Sequence, residues 1–233
     1  MRSPLLLAVV LAACTAACAS AAPPRPQPTA QPVPSPDRVE RLPAGPVPPP
    51  RDDGRLPSLA RPIRYALDLV VDPSQPGFEG TATFDLELPE PTAHVVLHAR
   101  DLTILDAHLE QRGATFPATT AARLAHGARE APEELVVSLP SALSAGPARL
   151  VIRYQGRFNT ELNGLYRVQV DGRWYAFSDF EPTDARRAFP CFDEPSFKVP
   201  VRVRLTVPQD VGAFANMPES SRSDDAAART RTV

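Results

Sequence analysis

The side chains of this sequence that most readily bind metals or act as nucleophiles are four histidines and three cysteines. No histidine is followed by Glu, so the His-Glu-x-x-His helix of zinc hydrolases does not occur in it. His94 and His98 lie in a strand-like stretch, where four residues span roughly 13 Å, too far for their imidazoles to share an ion. We interpret both as sheet-surface histidines and expect no metal site and no catalytic residue in this chain. Cys191 has no histidine near it in the sequence and is interpreted as a small buried residue.

Asp179 and Glu181 form a pair of carboxylates at the end of a predicted strand, beside aromatic residues. Residues two apart in a strand project to the same side, and paired acids there can receive a substrate ammonium group. The alternative is that these acids cap a short predicted helix over 183–188 and pair with Arg186 or Arg187. The residues alone leave both interpretations open.

Apolar and polar residues alternate with a period of two in the segments that precede and follow this pair. Residues 63–71, 78–88 and 199–207 show the pattern most clearly, and Val201, Val203 and Leu205 are predicted to point inward. Asp171-Gly172 predicts a tight hairpin between strands 165–170 and 173–177. Further strands are predicted at 94–98, 102–109, 134–139 and 149–154. Because 29 prolines also disfavour helices, we predict an all-β antiparallel sheet or sandwich over residues 58–233.

The first 18 residues have the features of a targeting segment. An apolar run of roughly ten residues follows Met1-Arg2-Ser3, too short to span a bilayer and typical of a secretory signal peptide. Leu11-Ala12-Ala13-Cys14 resembles the bacterial lipobox, in which the cysteine is acylated. We therefore predict a lipoprotein signal peptide over 1–18, a lipid anchor on Cys14, and secretion across the inner membrane of a bacterium to a membrane-anchored site in the periplasm or at the cell surface. The alternative is an ordinary signal peptide cleaved after Ala17 or Ala22.

Residues 19–57 are rich in proline and poor in large apolar side chains, which predicts a disordered linker. The net charge of −2 gives no basic face for nucleic acid, so we expect no nucleic-acid partner.

The most distinctive part of the sequence runs from residue 180 to residue 198. It reads Phe180-Glu181-Pro182-Thr183, then Ala185-Arg186, then Phe189-Pro190-Cys191-Phe192-Asp193-Glu194-Pro195-Ser196-Phe197-Lys198. This motif resembles that of the N-terminal domain in the aminopeptidase N family of zinc exopeptidases. Segments from residue 59 onward, among them Phe78-Glu79-Gly80 and Asn216-Met217-Pro218, resemble the same domain in the same order.

The resemblance implies a saddle-shaped β-domain that packs on a thermolysin-like catalytic domain and takes part in removing N-terminal amino acids from peptides. In that family, the glutamate at the position of Glu181 binds the free α-amino group of the substrate. The position of Asp179 is usually Gln, which lines the first side-chain pocket. An aspartate there would strengthen ammonium binding or raise one pKa through like-charge repulsion, and it hints at tolerance for basic side chains.

The catalytic segments of that family, including its zinc ligands, do not occur in this sequence. We therefore expect the zinc to be held outside this chain and the chain alone not to hydrolyse peptides. Residues 220–233 resemble the hairpin before the last strands of the family's β-domain, so we also expect this domain to be incomplete at its C-terminal end. The main hypothesis is the substrate-amine-binding domain of a zinc aminopeptidase. The alternative is a non-catalytic, membrane-anchored β-sandwich lipoprotein that acts as a binding or scaffold module.

Overall fold

The computed structural model describes residues 44–123 and 133–233. The predicted signal peptide, the predicted lipidation site Cys14 and the predicted linker up to residue 43 lie outside the described residues. Within the described part, no helix is long and apolar enough to cross a membrane.

The described residues form strands and one short 3₁₀ helix, which confirms the all-β prediction. The helix covers Ala185–Arg187, shorter than the predicted 183–188. The strands are β1 (Arg61–Val70), β2 (Gly77–Leu88), β3 (Thr92–His98), β4 (Leu102–Gln111), β5 (Ala114–Pro117), β6 (Thr119–Ala122), β7 (Glu134–Leu143), β8 (Gly146–Arg157), β9 (Gly164–Val170), β10 (Arg173–Asp179), β11 (Val201–Pro208), β12 (Ser223–Asp225) and β13 (Thr230–Thr232).

These strands form three sheets. The largest has eight strands in the order β12-β13-β11-β1-β2-β8-β4-β5, the second has the order β3-β7-β6, and β9 and β10 form a two-stranded ribbon. The prediction of antiparallel pairing holds for these strands with one exception, because β1 and β11 run parallel. A parallel pair needs a long crossover connection, and the chain provides one here by passing through both other sheets before β11.

The core lies between the eight-stranded and the three-stranded sheet. In β2, the predicted alternation buries Ala82, Phe84, Leu86 and Leu88. Strand β3 contributes a continuous apolar run that includes Val95, Val96 and Leu97, and all these side chains belong to one buried cluster. The eight-stranded sheet and the three-stranded sheet therefore pack as the two layers of a sandwich.

Strand β11 differs from its prediction in burial. Val201 pairs with Tyr65 and Val203 with Leu67, so the valines share a side of the sheet with two buried residues. Nevertheless, Val201 is 50% and Val203 is 44% exposed. The alternation thus identified the correct side of the sheet, but the second layer does not extend over this strand in the part of the chain that the structure describes.

The interpretation of His94 and His98 as surface residues is wrong, because both are buried. The ring of His94 contacts the Ser138 hydroxyl through Nδ1 at 3.0 Å and the Gly45 carbonyl through Nε2 at 2.7 Å. Since a carbonyl only accepts hydrogen bonds, Nε2 is the protonated nitrogen. Strand β3 is the edge of its sheet, and segments distant in sequence cover both of its histidines.

One of those covering segments is the strap, which we define as residues 44–57. These residues belong to the proline-rich region and have no regular secondary structure. Apart from its bond with His94, the strap accepts a hydrogen bond from Arg123 at the Pro48 carbonyl, at 2.6 Å. Its Leu56 is buried, and the Leu56 amide donates to Glu194 Oε1 at 2.6 Å. The strap therefore follows the surface of the sandwich rather than leaving it.

Candidate functional site

The two predicted site residues lie where the ribbon ends. Asp179 is the last residue of β10, Glu181 follows it in a turn, and both are exposed. The Glu181 amide donates to Asp179 Oδ1 at 3.4 Å. Between them, the ring of Phe180 packs edge-on against Phe189, with ring centroids 5.6 Å apart. An apolar anchor thus fixes the backbone while the two carboxylates stay accessible.

The arginines of the 3₁₀ helix bind other acids. Arg186 pairs with Asp193 at 2.9 Å and with Glu133 at 3.1 Å. Arg187 pairs with Asp184 at 2.9 Å and with Asp101 at 2.6 Å. The alternative prediction, in which Arg186 or Arg187 pairs with Asp179 or Glu181, is therefore wrong.

The same alternative predicted that Asp179 or Glu181 caps the short helix, and this is also wrong. Asp184 occupies the N-cap position, and its side chain makes no capping hydrogen bond. Among the described residues, no arginine or lysine forms an ion pair with Asp179 or Glu181. Both carboxylates are thus available to a positively charged group from outside the domain.

The second half of the motif supports this turn from behind. Cys191 and His98 exchange backbone hydrogen bonds at 2.7 and 2.9 Å, so the segment extends the edge of β3. The Phe192 amide donates to the Tyr65 hydroxyl at 3.0 Å, and the Asp193 amide donates to His98 Nδ1 at 3.2 Å. Cys191, Phe192 and Asp193 are thus held in place by backbone hydrogen bonds, and Asp193 in turn pairs with Arg186. This segment therefore has a structural role.

Burial governs the titration of the groups in this support. Burial, together with the positive charge of the nearby Arg186, lowers the pKa of His98 to about 4. The imidazole is therefore neutral at neutral pH, as its acceptor role toward Asp193 requires. Burial also raises the pKa of the Cys191 thiol, with the charge of Asp193 acting in the same direction. A buried thiol with a raised pKa is a poor nucleophile, which agrees with the interpretation of Cys191 as a buried residue.

The ribbon that presents the acids is a tight hairpin, as predicted. Asp171 and Gly172 at its tip have φ values of 49° and 77°, the left-handed conformation that such turns require. Arg167 attaches one face to the sandwich: its guanidinium lies 4.1 Å from the ring centroid of Trp174 and donates to the carbonyls of Pro73 and Ser74 at 3.1 and 3.2 Å. Sequence reasoning did not identify this role of Arg167, because its carbonyl partners lie far away in the chain.

The described residues do not form a zinc site. No group of three or more His, Cys, Asp or Glu side chains in this part of the chain is arranged to hold a metal ion. Both ring nitrogens of His94 are engaged in hydrogen bonds, and Nδ1 of His98 accepts one from the Asp193 amide. The zinc that the family resemblance implies therefore does not fit these residues.

Comparison with known proteins adds an independent line of evidence. The family model of the peptidase M1 N-terminal domain matches residues 61–232. The chain is 36% identical over 176 residues to aminopeptidase M1-A of Oryza sativa subsp. japonica, covering 72% of this chain and 20% of that protein. It is 36% identical over 174 residues to aminopeptidase M1 of Arabidopsis thaliana, with coverage of 72% and 20%. For the puromycin-sensitive aminopeptidase of Caenorhabditis elegans, the identity is 31% over 184 residues, with coverage of 77% and 19%. The matched region spans about a fifth of the length of these relatives.

Proposed function

Because this chain belongs to the peptidase M1 family, whose N-terminal domain it contains, we propose that it supplies the substrate-amine-binding part of a zinc-dependent aminopeptidase. The observation that carries the proposal is the exposed carboxylate of Glu181 in the turn after β10, with no ion-pair partner among the described residues. The names of the matched relatives, all aminopeptidases, support the same reaction class.

Glu181 would select the end of a peptide by charge. A free N terminus carries an ammonium group that pairs with the carboxylate, whereas an internal peptide bond offers no positive charge. Once a substrate and the rest of the enzyme exclude water, an unpaired Glu181 becomes costly, so binding strongly favours peptides that supply the ammonium. The Phe180–Phe189 contact and the ion pairs of Arg186 and Arg187 hold the turn, which limits the reorganisation needed on binding.

Asp179 would add a second negative charge beside the first. Its Oδ1 accepts a hydrogen bond from the Glu181 amide, so this residue also orients the backbone of Glu181. A carboxylate at this position would favour substrates whose first residue has a basic side chain.

The zinc and the groups that activate water belong, in this proposal, to a catalytic part outside these 233 residues. We further propose that the N-terminal region directs export across the inner membrane of a bacterium and that a lipid on Cys14 anchors the enzyme to the membrane. The lipobox-like sequence Leu11-Ala12-Ala13-Cys14 supports this assignment. Incorporation of labelled fatty acid into the wild-type protein, and its loss in Cys14→Ser, is the test of the anchor.

The test of amine binding compares Glu181→Ala with Glu90→Ala in the intact enzyme on aminoacyl substrates. Glu90 is another exposed glutamate, in the turn after β2, and serves as the matched control. Loss of one partner of a desolvated charge pair costs about 2–5 kcal/mol, so we expect kcat/KM to fall at least about 30-fold for Glu181→Ala. Unchanged kinetics would remove Glu181 from the site.

The isolated chain provides a second test. Release of amino acids from peptides by residues 1–233 alone would contradict the placement of the catalytic groups elsewhere. If the protein purified from its host contains no zinc and no M1 catalytic polypeptide, the result would favour the alternative function as a non-catalytic binding or scaffold module.

A further inference from the structure

Glu181 lies inside a short segment whose two ends are held by different contacts. Asp179, at one end, is the register partner of Gly164, the first residue of β9. Asp184, at the other end, donates its backbone amide to the Phe180 carbonyl at 3.0 Å and so closes the turn. The position of Glu181 relative to the ribbon therefore depends on how these two ends are held with respect to each other.

The side chain of Arg187 contacts both ends. Its Nε atom pairs with the Asp184 carboxylate at 2.9 Å. Its stem lies against the backbone of Gly164, because a Cβ atom at that glycine would be 3.1 Å from Cβ and 3.4 Å from Cδ of Arg187. The Arg187 side chain is only 17% exposed, as expected for a group packed between the 3₁₀ helix and the start of the ribbon. A single side chain thus joins the two ends of the segment that contains Glu181.

A third contact attaches Arg187 to the sandwich. Its Nη1 atom pairs with Asp101 at 2.6 Å, in the connection between β3 and β4. A planar guanidinium can bind two carboxylates through two of its edges at fixed angles, whereas a lysine ammonium is a point charge on a flexible stem. The arrangement therefore requires an arginine at this position rather than any positive charge.

Gly164 makes the close approach of Arg187 possible. Its φ of 66° lies in the left-handed region, which favours glycine. A side chain at this position would be strained by that conformation and would also press on the stem of Arg187. The glycine at the start of β9 thus leaves the space that the arginine occupies.

We propose that Arg187 is a positioning residue for Glu181. Together with its three contacts, Asp101, Asp184 and Gly164, it forms what we call the Arg187 clamp. The clamp sets how far Glu181 reaches toward the amino group of a substrate, and this inference rests on the proposed function. Arg187 itself does not touch the substrate and acts through Glu181.

The clamp acts on the backbone of Glu181. The Glu181 side chain is exposed, whereas its amide donates to Asp179 Oδ1 at 3.4 Å. An ammonium group binds best to a carboxylate that is already in place, because ordering a loop at the moment of binding costs free energy. Fixing both ends of the segment reduces that cost.

Kinetics of the intact enzyme on aminoacyl substrates test this proposal. Arg187→Met keeps a stem against Gly164 but removes both ion pairs, whereas Arg187→Lys retains a positive charge. We expect kcat/KM to fall about tenfold for Arg187→Met and about threefold for Arg187→Lys, because a small displacement of a binding group lowers the rate. Wild-type kinetics of Arg187→Met would overturn the proposal.

Arg204→Met is the matched control. It removes an ion pair of similar length, 2.8 Å to Asp68, from the eight-stranded sheet. Because this pair lies on another element, we expect kcat/KM to stay unchanged. An equal loss in Arg204→Met and Arg187→Met would overturn the proposal, since any lost ion pair would then have the same effect.

A double-mutant cycle with Glu181→Ala separates positioning from a purely structural role. If Arg187 acts through Glu181, then Arg187→Met causes no further loss of activity in a protein that already carries Glu181→Ala. If the substitution only lowers the amount of folded enzyme, it reduces activity by the same factor in both backgrounds. That second result would overturn the proposal.

Amide hydrogen exchange in the same variants separates the clamp from amine binding. We expect faster exchange at the amides of Glu181 and Asp184 in Arg187→Met than in the wild type or Arg204→Met. Faster exchange together with a fully active Glu181→Ala would mean that the clamp holds the turn and amine binding is wrong. Unchanged exchange together with an inactive Glu181→Ala would mean that amine binding stands and the clamp is wrong.

Discussion

His98 and Glu181 are titratable residues with opposite environments. Glu181 is exposed at the end of the ribbon, whereas His98 is 3% exposed and accepts a hydrogen bond from the Asp193 amide. Sequence reasoning proposed Asp179 and Glu181 as candidate site residues because a strand end followed by a family-like motif is a local pattern, and the structure places both at an exposed turn. The acids that bind Arg186 and Arg187 include Glu133 and Asp101, which are distant in the chain, and only the fold brings these residues together.

The buried imidazole of His98 predicts a dependence of stability on pH. Its pKa is about 4 in the folded protein and 6.5 as the ordinary value, so between these pH values the unfolded chain binds more protons than the folded one. The free energy of unfolding should therefore decrease as the pH falls from 6.5 toward 4, by up to about 3 kcal/mol from this residue.

The matched variant for this prediction is His98→Asn, whose amide oxygen can still accept from Asp193. Urea unfolding at several pH values measures the effect: we expect a shallower pH dependence in the variant than in the wild type over this range. Parallel pH profiles would contradict the assignment to His98.

Among the elements, β2 and β8 show how close packing limits substitution. Gly80 pairs with Tyr154, and a Cβ atom at Gly80 would lie 2.5 Å from the Tyr154 ring and hydroxyl and 2.9 Å from Leu69 Cδ2. The alternating pattern predicted both strands from the sequence. It does not show that the Tyr154 ring lies over Gly80 and leaves no room for a side chain there. The glycine of the Phe78-Glu79-Gly80 segment is thus explained only by the tertiary structure.

We expect Gly80→Ala to lower the free energy of unfolding by about 1–3 kcal/mol, because Tyr154 is fully buried and has little room to move. Gly45→Ala is the control, since no atom lies within 4 Å of a Cβ atom there. Urea denaturation measures both variants, and equal stabilities would mean that Tyr154 moves freely.

The ribbon gives a second prediction at this scale. Arg167→Met keeps much of the side-chain stem but removes the charge that stacks on Trp174 and the donors to the Pro73 and Ser74 carbonyls. We expect faster amide hydrogen exchange, about tenfold or more, in β9 and β10 and unchanged exchange in β2 and β8. Arg173→Met, at the exposed tip, should leave both regions unchanged; equal effects of the two variants would argue against Arg167 as the anchor.

For the whole molecule, the strap joins the described end of the proline-rich region to the motif that follows Glu181, through the hydrogen bond from the Leu56 amide to Glu194. Composition predicted a disordered linker over residues 19–57; its described part, the strap, has no regular secondary structure but is hydrogen-bonded to the sandwich. Composition does not predict which strap carbonyls and amides form hydrogen bonds. Their partners are distant in the chain: His94 on β3, Arg123 after β6, and Glu194.

Limited proteolysis tests this connection at Arg51 and Arg55. Glu194→Ala removes the acceptor of the Leu56 amide, and we expect trypsin to cleave the strap severalfold faster than in the wild type. Glu194→Gln retains an acceptor oxygen and should be cleaved at an intermediate rate. Equal cleavage of all three proteins would show that this hydrogen bond does not hold the strap.

The parallel pairing of β1 and β11 has a mechanical consequence. The register joins the strands from Tyr65–Val201 to Val70–Thr206, so the beginning of β1 and the end of β11 lie at opposite ends of the pair. A tension applied at these two points acts along the strands and shears the whole ladder at once, instead of unzipping it bond by bond. A force that pulls on the residues before β1 would thus be resisted by all hydrogen bonds of this ladder together. The turn that contains Asp179 and Glu181 lies in the connection between the two strands and would not carry that force.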